Sequence, residues 1–180
     1  MDYISRKLLE NLFGKDKLRF SSNVVGIIKN KNVSYSKLNI PGVTHKSAVN
    51  SLHYLRRKKI IEYREIGNKI KIILTEDGKK KILYYKIDDL DIKEPQKWDS
   101  KWHIVAFDIP EKHKSARNAL ADKMRELGLV LFQKSLWIYP FYCKDEIDFV
   151  AEVFNIGKYV HYIIVESITN DKLLRQRFRI

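Results

Sequence analysis

The chain has 180 residues, 44% hydrophobic and 32% charged, with a formal net charge of +13; this balance supports a buried core and excludes wholesale disorder. The length suits one large domain or two small ones, and no apolar run approaches the roughly 18 residues of a membrane span. The N-terminus, Met1-Asp2-Tyr3-Ile4-Ser5-Arg6, lacks a secretory pattern, and the single cysteine, Cys143, excludes an intrachain disulfide.

Those features predict a cytoplasmic protein with no membrane partner. The charge is unevenly spread. Residues 1–92 hold 20 Lys+Arg against 10 Asp+Glu, a net of +10, whereas residues 93–180 hold 15 against 12, a net of +3. A basic half joined to a nearly balanced one predicts a nucleic-acid reader attached to a module that dimerises, senses or cuts.

In chain order, Ile4 to Phe13 has apolar residues at 4, 8, 9, 12 and 13, a helical spacing that Gly14 ends. Val24-Val25-Gly26-Ile27-Ile28 is short and is read as helical. Tyr35-Ser36-Lys37-Leu38 is a short helix stopped by Pro41-Gly42. Thr44 then caps a helix running to about Lys58. At 100° per residue, Ala48, Val49, Leu52 and Leu55 fall on one side of this helix. Lys46, Asn50, His53, Tyr54 and Arg57 fall on the other, with Ser47 at the margin.

Two strand-like runs follow, Ile60 to Arg64 and Ile70 to Leu74, around a turn centred on Gly67-Asn68. A short helix, a turn, a polar-faced helix and a hairpin form a winged helix-turn-helix, whose second helix enters the major groove of double-stranded DNA. In that reading Arg56, Arg57, Lys58 and Lys59 anchor phosphates. Asn50 pairs with adenine through its amide, Tyr54, Lys46 and Ser47 lie within reach of the groove, and Asn68, Lys69 and Lys71 sit at the wing. The bland alternatives are a solvated helix end for Arg56 to Lys59 and packing against the wing for Tyr54. Thr75 with Glu76 and Asp77 starts a closing helix. Asp88 to Lys97 reads as a linker, which places the domain boundary near residue 92, between domains 1–92 and 93–180.

The second half reads as β-α-β-β-α-β. Trp102 to Asp108 is a strand, Lys112 to Leu127 a helix, Leu129–Gln133 and Leu136–Phe141 two strands, Asp145 to Phe154 a helix and Tyr159 to Val165 the last strand. That order is the split βαβ of ferredoxin-like domains: a four-stranded antiparallel sheet with two helices on one face. The other face is left for a second copy, which predicts a homodimer. A tail helix from Asp171 to about Phe178, capped by Asn170, either crosses to that copy or covers the sheet's own edge. The fold class is thus α+β, a winged helix-turn-helix followed by a ferredoxin-like domain.

The segment Lys97-Trp98-Asp99-Ser100-Lys101-Trp102-His103-Ile104-Val105-Ala106-Phe107-Asp108-Ile109-Pro110-Glu111 resembles the middle domain of PaaX-type transcriptional repressors. Leu131 to Ile138, Pro140 and Cys143 to Ile147 continue the likeness, which covers roughly residues 97–178. This domain in turn resembles the small ferredoxin-like subunit of CRISPR spacer acquisition. There a strand ending in aromatic-Asp-Ile precedes a basic helix, and a Gln-x-Ser-aliphatic segment, here Gln133 to Leu136, begins the third strand. The first half is similar to the family's winged helix by layout. PaaX-type repressors usually carry a further helical domain, and this chain stops without it. The resemblance implies a transcriptional repressor acting as a homodimer on an inverted repeat, and for the family as a whole a coenzyme A thioester as small-molecule effector.

It also implies an alternative, a metal-dependent nuclease targeted by the winged helix. In some members of the CRISPR subunit the aspartate matching Asp108 is associated with a divalent metal and phosphodiester cleavage. Mg²⁺ needs several oxygen ligands, which two copies of Asp108 in a dimer, with Glu111 three residues on, would help supply. The bland reading makes Asp108 a loop or helix cap, with no catalytic residue and no cofactor. Other chemistry is thin: the five histidines lack metal-ligand spacing, no phosphate-binding glycine loop occurs, and Cys143 reads as a packing residue.

Overall fold

A computed structural model describes residues 3–13, 24–29, 32–35, 40–67 and 69–180, with side chains described outside 24–35. The chain divides into two compact units, Met1–Lys86 and Ile87–Ile180.

In the first unit, α1 (Tyr3–Phe13) turns Leu8, Leu9, Leu12 and Phe13 into the core. Its apolar residues recur at three- and four-residue intervals, so they form one stripe. The segment Val24–Lys29 is a strand, β1, paired with β2 (Asn32–Tyr35) in an antiparallel hairpin. The helical reading of Val24 to Ile28 is therefore corrected. Four β-branched residues in five suit a pleated ladder better than a helix, and the run is too short to nucleate one alone. Tyr35 likewise lies in β2 rather than in a helix. The rest of that expected helix, residues 36–38, lies outside the described residues, as does Gly14.

Helix α2 (His45–Arg57) begins where the sequence places it, with the Thr44 hydroxyl accepting from the Ser47 amide. Ala48, Leu52 and Leu55 are fully buried and pack with α1 around a common core. The helix ends in a Schellman turn: Ile60 N–H donates to Leu55 O at 2.9 Å and Lys59 N–H to Arg56 O at 2.9 Å. Lys59 takes the left-handed conformation, φ 56°, in the position glycine usually fills.

Strands β3 (Ile61–Ile66) and β4 (Lys69–Leu74) form a hairpin in register from Ile61 opposite Leu74 to Ile66 opposite Lys69. Gly67, φ 61°, supplies the positive φ that a tight two-residue turn requires. Ile70, Ile72 and Leu74 face the core, which leaves Lys69 and Lys71 on the outer face. β1 pairs with the other edge of β4, giving the sheet order β2-β1-β4-β3. The hairpin is thus one half of a four-stranded sheet.

Helix α3 (Glu76–Asp88) closes the unit. Its Gly78 N–H donates to the Thr75 hydroxyl at 3.0 Å. Gly78 lies so close to the preceding chain that a Cβ there would sit 2.0 Å from the Ile60 carbonyl oxygen.

In the second unit, β5 (Trp102–Phe107), α4 (Lys114–Glu126), β6 (Val130–Gln133), β7 (Leu136–Tyr139), α5 (Lys144–Val153) and β8 (Val160–Val165) follow the expected order. The sheet order is β6-β7-β5-β8, all antiparallel. This is the topology of a ferredoxin-type domain. Along β5 the side chains alternate between two faces. His103, Val105 and Phe107 face one way, with Trp137 opposite Val105 in the register. On this side Arg125 of α4 lies over the Trp137 ring, 5.7 Å from its centroid.

Trp102 and Ile104 point the other way, with Ile138 beside them, and there α6 (Lys172–Phe178) lays Leu174 and Phe178 on them. The expectation that this face stays open for a second copy is therefore corrected: the chain's own tail covers part of it. The cap of α6 is corrected too. Asn170 is left-handed at φ 61°, and the N-cap position falls to Asp171, which is itself helical at φ −73°, ψ −2° and makes no side-chain cap. The Asp171 carboxylate accepts from Arg175 Nε at 2.8 Å instead of from the backbone.

A polar chain runs beneath β5. The Tyr162 hydroxyl lies 2.8 Å from His103 Nδ1 and accepts the Cys143 N–H at 3.1 Å. That hydroxyl donates its proton to an unprotonated Nδ1 or accepts from a protonated one, according to the imidazole tautomer. Burial, the largest influence, holds the His103 imidazolium below its ordinary range, and burial pushes the Cys143 thiol up to about 12.

Two outcomes are expected. Gly78→Ala forces α3 away from Ile60. It lowers stability by about 1–3 kcal/mol in urea denaturation, although alanine is the better helix former by about 1 kcal/mol. An unchanged midpoint would disprove the close approach. For His103, the unfolded state binds its proton near pH 6.5 and the folded state only at lower pH. Stability is fully present above about pH 7 and falls as pH drops below about 6.5, towards the lower folded value. His103→Asn, which keeps a hydrogen-bonding group near the Nδ1 position, should flatten the decline between pH 7 and pH 5 in thermal melts.

Candidate nucleic-acid interface

Helix α2 contains no acidic residue, HKSAVNSLHYLRR. Because one side is fixed against the core by Ala48, Leu52 and Leu55, the opposite side must face water. Lys46, Asn50, His53 and Arg57 are all exposed there. Their spacing of 4, 3 and 4 stacks them in one row along the helix. None of Lys46, Asn50 and His53 has a hydrogen-bond or ion-pair partner among the described residues. The row therefore offers an ammonium, an amide, an imidazole and a guanidinium to a ligand.

The other residues expected at this site divide. Ser47 is half-buried, and its hydroxyl accepts from Thr44 Oγ1 at 2.9 Å, so it belongs to the helix cap. Tyr54 is half-buried and packs on the core, with Arg57 5.9 Å above its ring. Arg56 projects about 100° round the helix from Arg57, and its guanidinium lies 4.6 Å above the Tyr63 ring of β3. Arg56 and Arg57 are adjacent in sequence and separate in space. Lys58 and Lys59 are exposed at the C-terminal turn.

On the hairpin, Lys69 is exposed near the turn, and Lys71 is half-buried on β4, directly opposite Arg64. Arg64 adds a cation to this outer face, tempered by Glu62 at 3.7 Å. Asn68 lies outside the described residues. His53 and Arg64 join the candidate surface although neither was singled out as a contact residue. The helical wheel carries the signal for His53, and two-residue alternation opposite Lys71 carries it for Arg64.

Asp108 lies at the end of β5, exposed, with its amide donating to Tyr159 O at 3.0 Å. Glu111 does not form a second ligand for a cation, because Arg117 at 3.0 Å and Lys114 at 3.3 Å already neutralise it. Among the described residues no group of three His, Cys, Asp or Glu could hold a metal ion. One free carboxylate per chain does not fit Mg²⁺, which needs near-octahedral oxygen ligation.

The ferredoxin-type unit and its β5 motif can be set beside known proteins. Residues 95–175 match the family model of the PaaX protein central Cas2-like domain. The match covers 81 of the 180 residues and lies wholly within the second unit. It runs from the segment before β5 into α6, so it takes in every strand of the Cas2-like sheet. No curated protein gives a significant match to the chain. Among the described residues no helix is long and apolar enough to cross a membrane.

The division between Arg56 and Arg57 has a measurable consequence. Arg56→Ala removes the contact with Tyr63 and should lower stability by about 0.5–1 kcal/mol. Arg57→Ala, at the exposed row, should stay within about 0.5 kcal/mol of the parent. Urea midpoints of the two variants check this; an unchanged midpoint for Arg56→Ala would mean that Arg56 does not act through Tyr63.

Proposed function

We propose that this protein is a sequence-specific, double-stranded DNA-binding transcriptional regulator, a repressor that acts as a homodimer on an inverted repeat. The observation that carries the reading is the exposed row Lys46, Asn50, His53 and Arg57 on an acid-free helix whose opposite side is buried. In this reading the first unit is a winged helix-turn-helix, with α2 as the reading helix and β3–β4 as the wing. A helix fits the major groove, where base edges are distinguishable. The match of the second unit to the PaaX protein central domain supports a regulator.

Each residue then has a role. Asn50 reads adenine through paired hydrogen bonds to N6 and N7. Lys46 lies one turn before it and Arg57 two turns after it, where Arg57 reaches a phosphate. Lys58, Lys59, Lys69 and Lys71 grip phosphates, which adds affinity without sequence information. Arg56, Ser47 and Tyr54 support the helix rather than the contact. The second unit supplies the dimer. Its edge strand β8 exposes Ile163 and Ile164, 44% and 52% accessible, beside a free backbone edge that a second copy can extend.

Selection of bound sites from a random duplex pool should return an inverted repeat with half-sites about 34–36 Å apart, or a multiple of that spacing. Arg57→Ala should weaken binding to every duplex and reduce the salt slope by about 0.9 for one lost phosphate contact. Asn50→Ala should cost about 1–3 kcal/mol at one base position only. Arg56→Ala, assayed where it is folded, should bind as the parent does. A protein that ignores duplexes in dilute buffer, or binds them identically after both Arg57→Ala and Asn50→Ala, would overturn the reading.

A further inference from the structure

The second unit carries an open cavity of about 410 Å³ that the DNA-binding reading does not use. Its wall is built from Glu94, Glu126, Tyr139 and the last turn of α6 with Arg177, Phe178 and Arg179. Two carboxylates and two guanidinium groups look balanced, but the carboxylates are already engaged from within the fold. The Tyr139 hydroxyl, on a side chain 3% exposed, donates to Glu94 Oε1 at 2.7 Å. Burial, reinforced by that hydrogen bond, holds the tyrosine far above its ordinary titration range, so the proton stays in place. The ammonium of Lys123, itself only 6% exposed, lies 3.3 Å from Glu126 Oε2.

The two arginines differ. Both are exposed, and neither has an ion-pair partner among the described residues, whereas Arg175 on the same helix is paired with Asp171. Phe178 between them is anchored edge-on to Tyr139 at 5.6 Å and packs against Trp102 at 6.1 Å. That anchor fixes the backbone from which both guanidinium groups extend. Counting Lys123 with the lining, three cations stand against two carboxylates, so the cavity carries a net positive charge. A volume of this size is that of a small-molecule site.

We propose that this cavity binds the oxyanion group of a small molecule, held by the guanidinium forks of Arg177 and Arg179. Guanidinium donors match phosphate and carboxylate oxygens in pairs, which gives orientation as well as attraction. Tyr139 is a positioning residue: by holding the Glu94 carboxylate through its hydroxyl it keeps that group from closing on Arg177 and Arg179 as their ion-pair partner. The source of the oxyanion, a phosphate ester or a carboxylic acid, is what the probes distinguish.

Inorganic phosphate and acetate are titrated separately into the full chain, and the backbone amide signals of Gly128 and of residues 177–179 are followed by NMR. Saturable shifts at those amides are expected, and the tighter probe identifies the oxyanion. Arg177→Gln with Arg179→Gln should weaken the constant by about tenfold or more. Tyr139→Phe removes no positive charge, yet it should weaken binding several-fold because Glu94 is released. Lys172→Gln, which removes one charge from the same helix outside the cavity, should leave the constant within about twofold. Shifts that do not saturate with either probe would overturn the proposal. So would equal weakening by Lys172→Gln, the mark of diffuse attraction. Tyr139→Phe that stays folded, by its thermal melt, and binds unchanged would refute the positioning role.

Discussion

One hydroxyl group joins three elements of the first unit. Thr75 Oγ1 donates to the Lys59 carbonyl at 2.6 Å and accepts the Gly78 amide at 3.0 Å, while the Thr75 amide reaches the Ile60 carbonyl at 3.1 Å. The end of α2, the start of β3 and the first turn of α3 therefore meet at one point. The orphan carbonyls beyond the Schellman turn are satisfied there, so the chain can leave α2 sharply and enter the hairpin. The absence of a side chain at Gly78 allows the approach. With this end held and Ala48, Leu52 and Leu55 buried, the orientation of α2 about its own axis is settled, and with it the row from Lys46 to Arg57. Lys59 bears the cost of the arrangement as a left-handed residue with a side chain.

The second unit solves a different problem. Its sheet has helices on one face, and the remaining face would otherwise present Trp102 and Ile138 to water. Leu174 and Phe178 cover them, and Trp98 packs on Trp102 from the segment before β5, with ring centroids 5.1 Å apart. A hydrophobic surface that could have been an interface is internal, and exposed apolar residues lie on both edge strands, at Leu131 and Phe132 of β6 and at Ile163 and Ile164 of β8, as well as at Leu173 on the outer side of α6.

Much of this was legible in the sequence because strong local signals agreed with the tertiary outcome. Thr44 before an apolar stripe placed the start of α2 to the residue, and Gly67-Asn68 between alternating runs placed the β3–β4 turn. The order of elements in the second unit followed from periodicity alone. What was not legible depends on contacts between distant segments. Val24 to Ile28 has no alternation that distinguishes a strand from a helix turn, and its pairing with β2 on one side and β4 on the other decides it. Asn170 and Asp171 are equally good caps on paper, and the backbone conformation at 170 selects between them. Within the candidate site, the separation of Arg56 from Arg57 rests on Tyr63, which no pattern within α2 contains. The cavity beside Tyr139 assembles Glu94, Glu126 and Arg177 from three parts of the chain, so no motif announces it.

The strand pairings of the two units differ in a way that bears on how each one assembles. In the first, β1 with β2 and β3 with β4 are hairpins whose partners are neighbours along the chain. In the second, the central strand β5 has no local partner: Ile104 waits for Ile138 on one side and Ile163 on the other. Chain entropy must be surrendered before either ladder forms. The amino-terminal unit has one such distant ladder, β1 with β4 from Gly26 to Ile70, whereas both ladders of the central strand β5 are distant, so the carboxy-terminal unit surrenders more chain entropy before its sheet is complete.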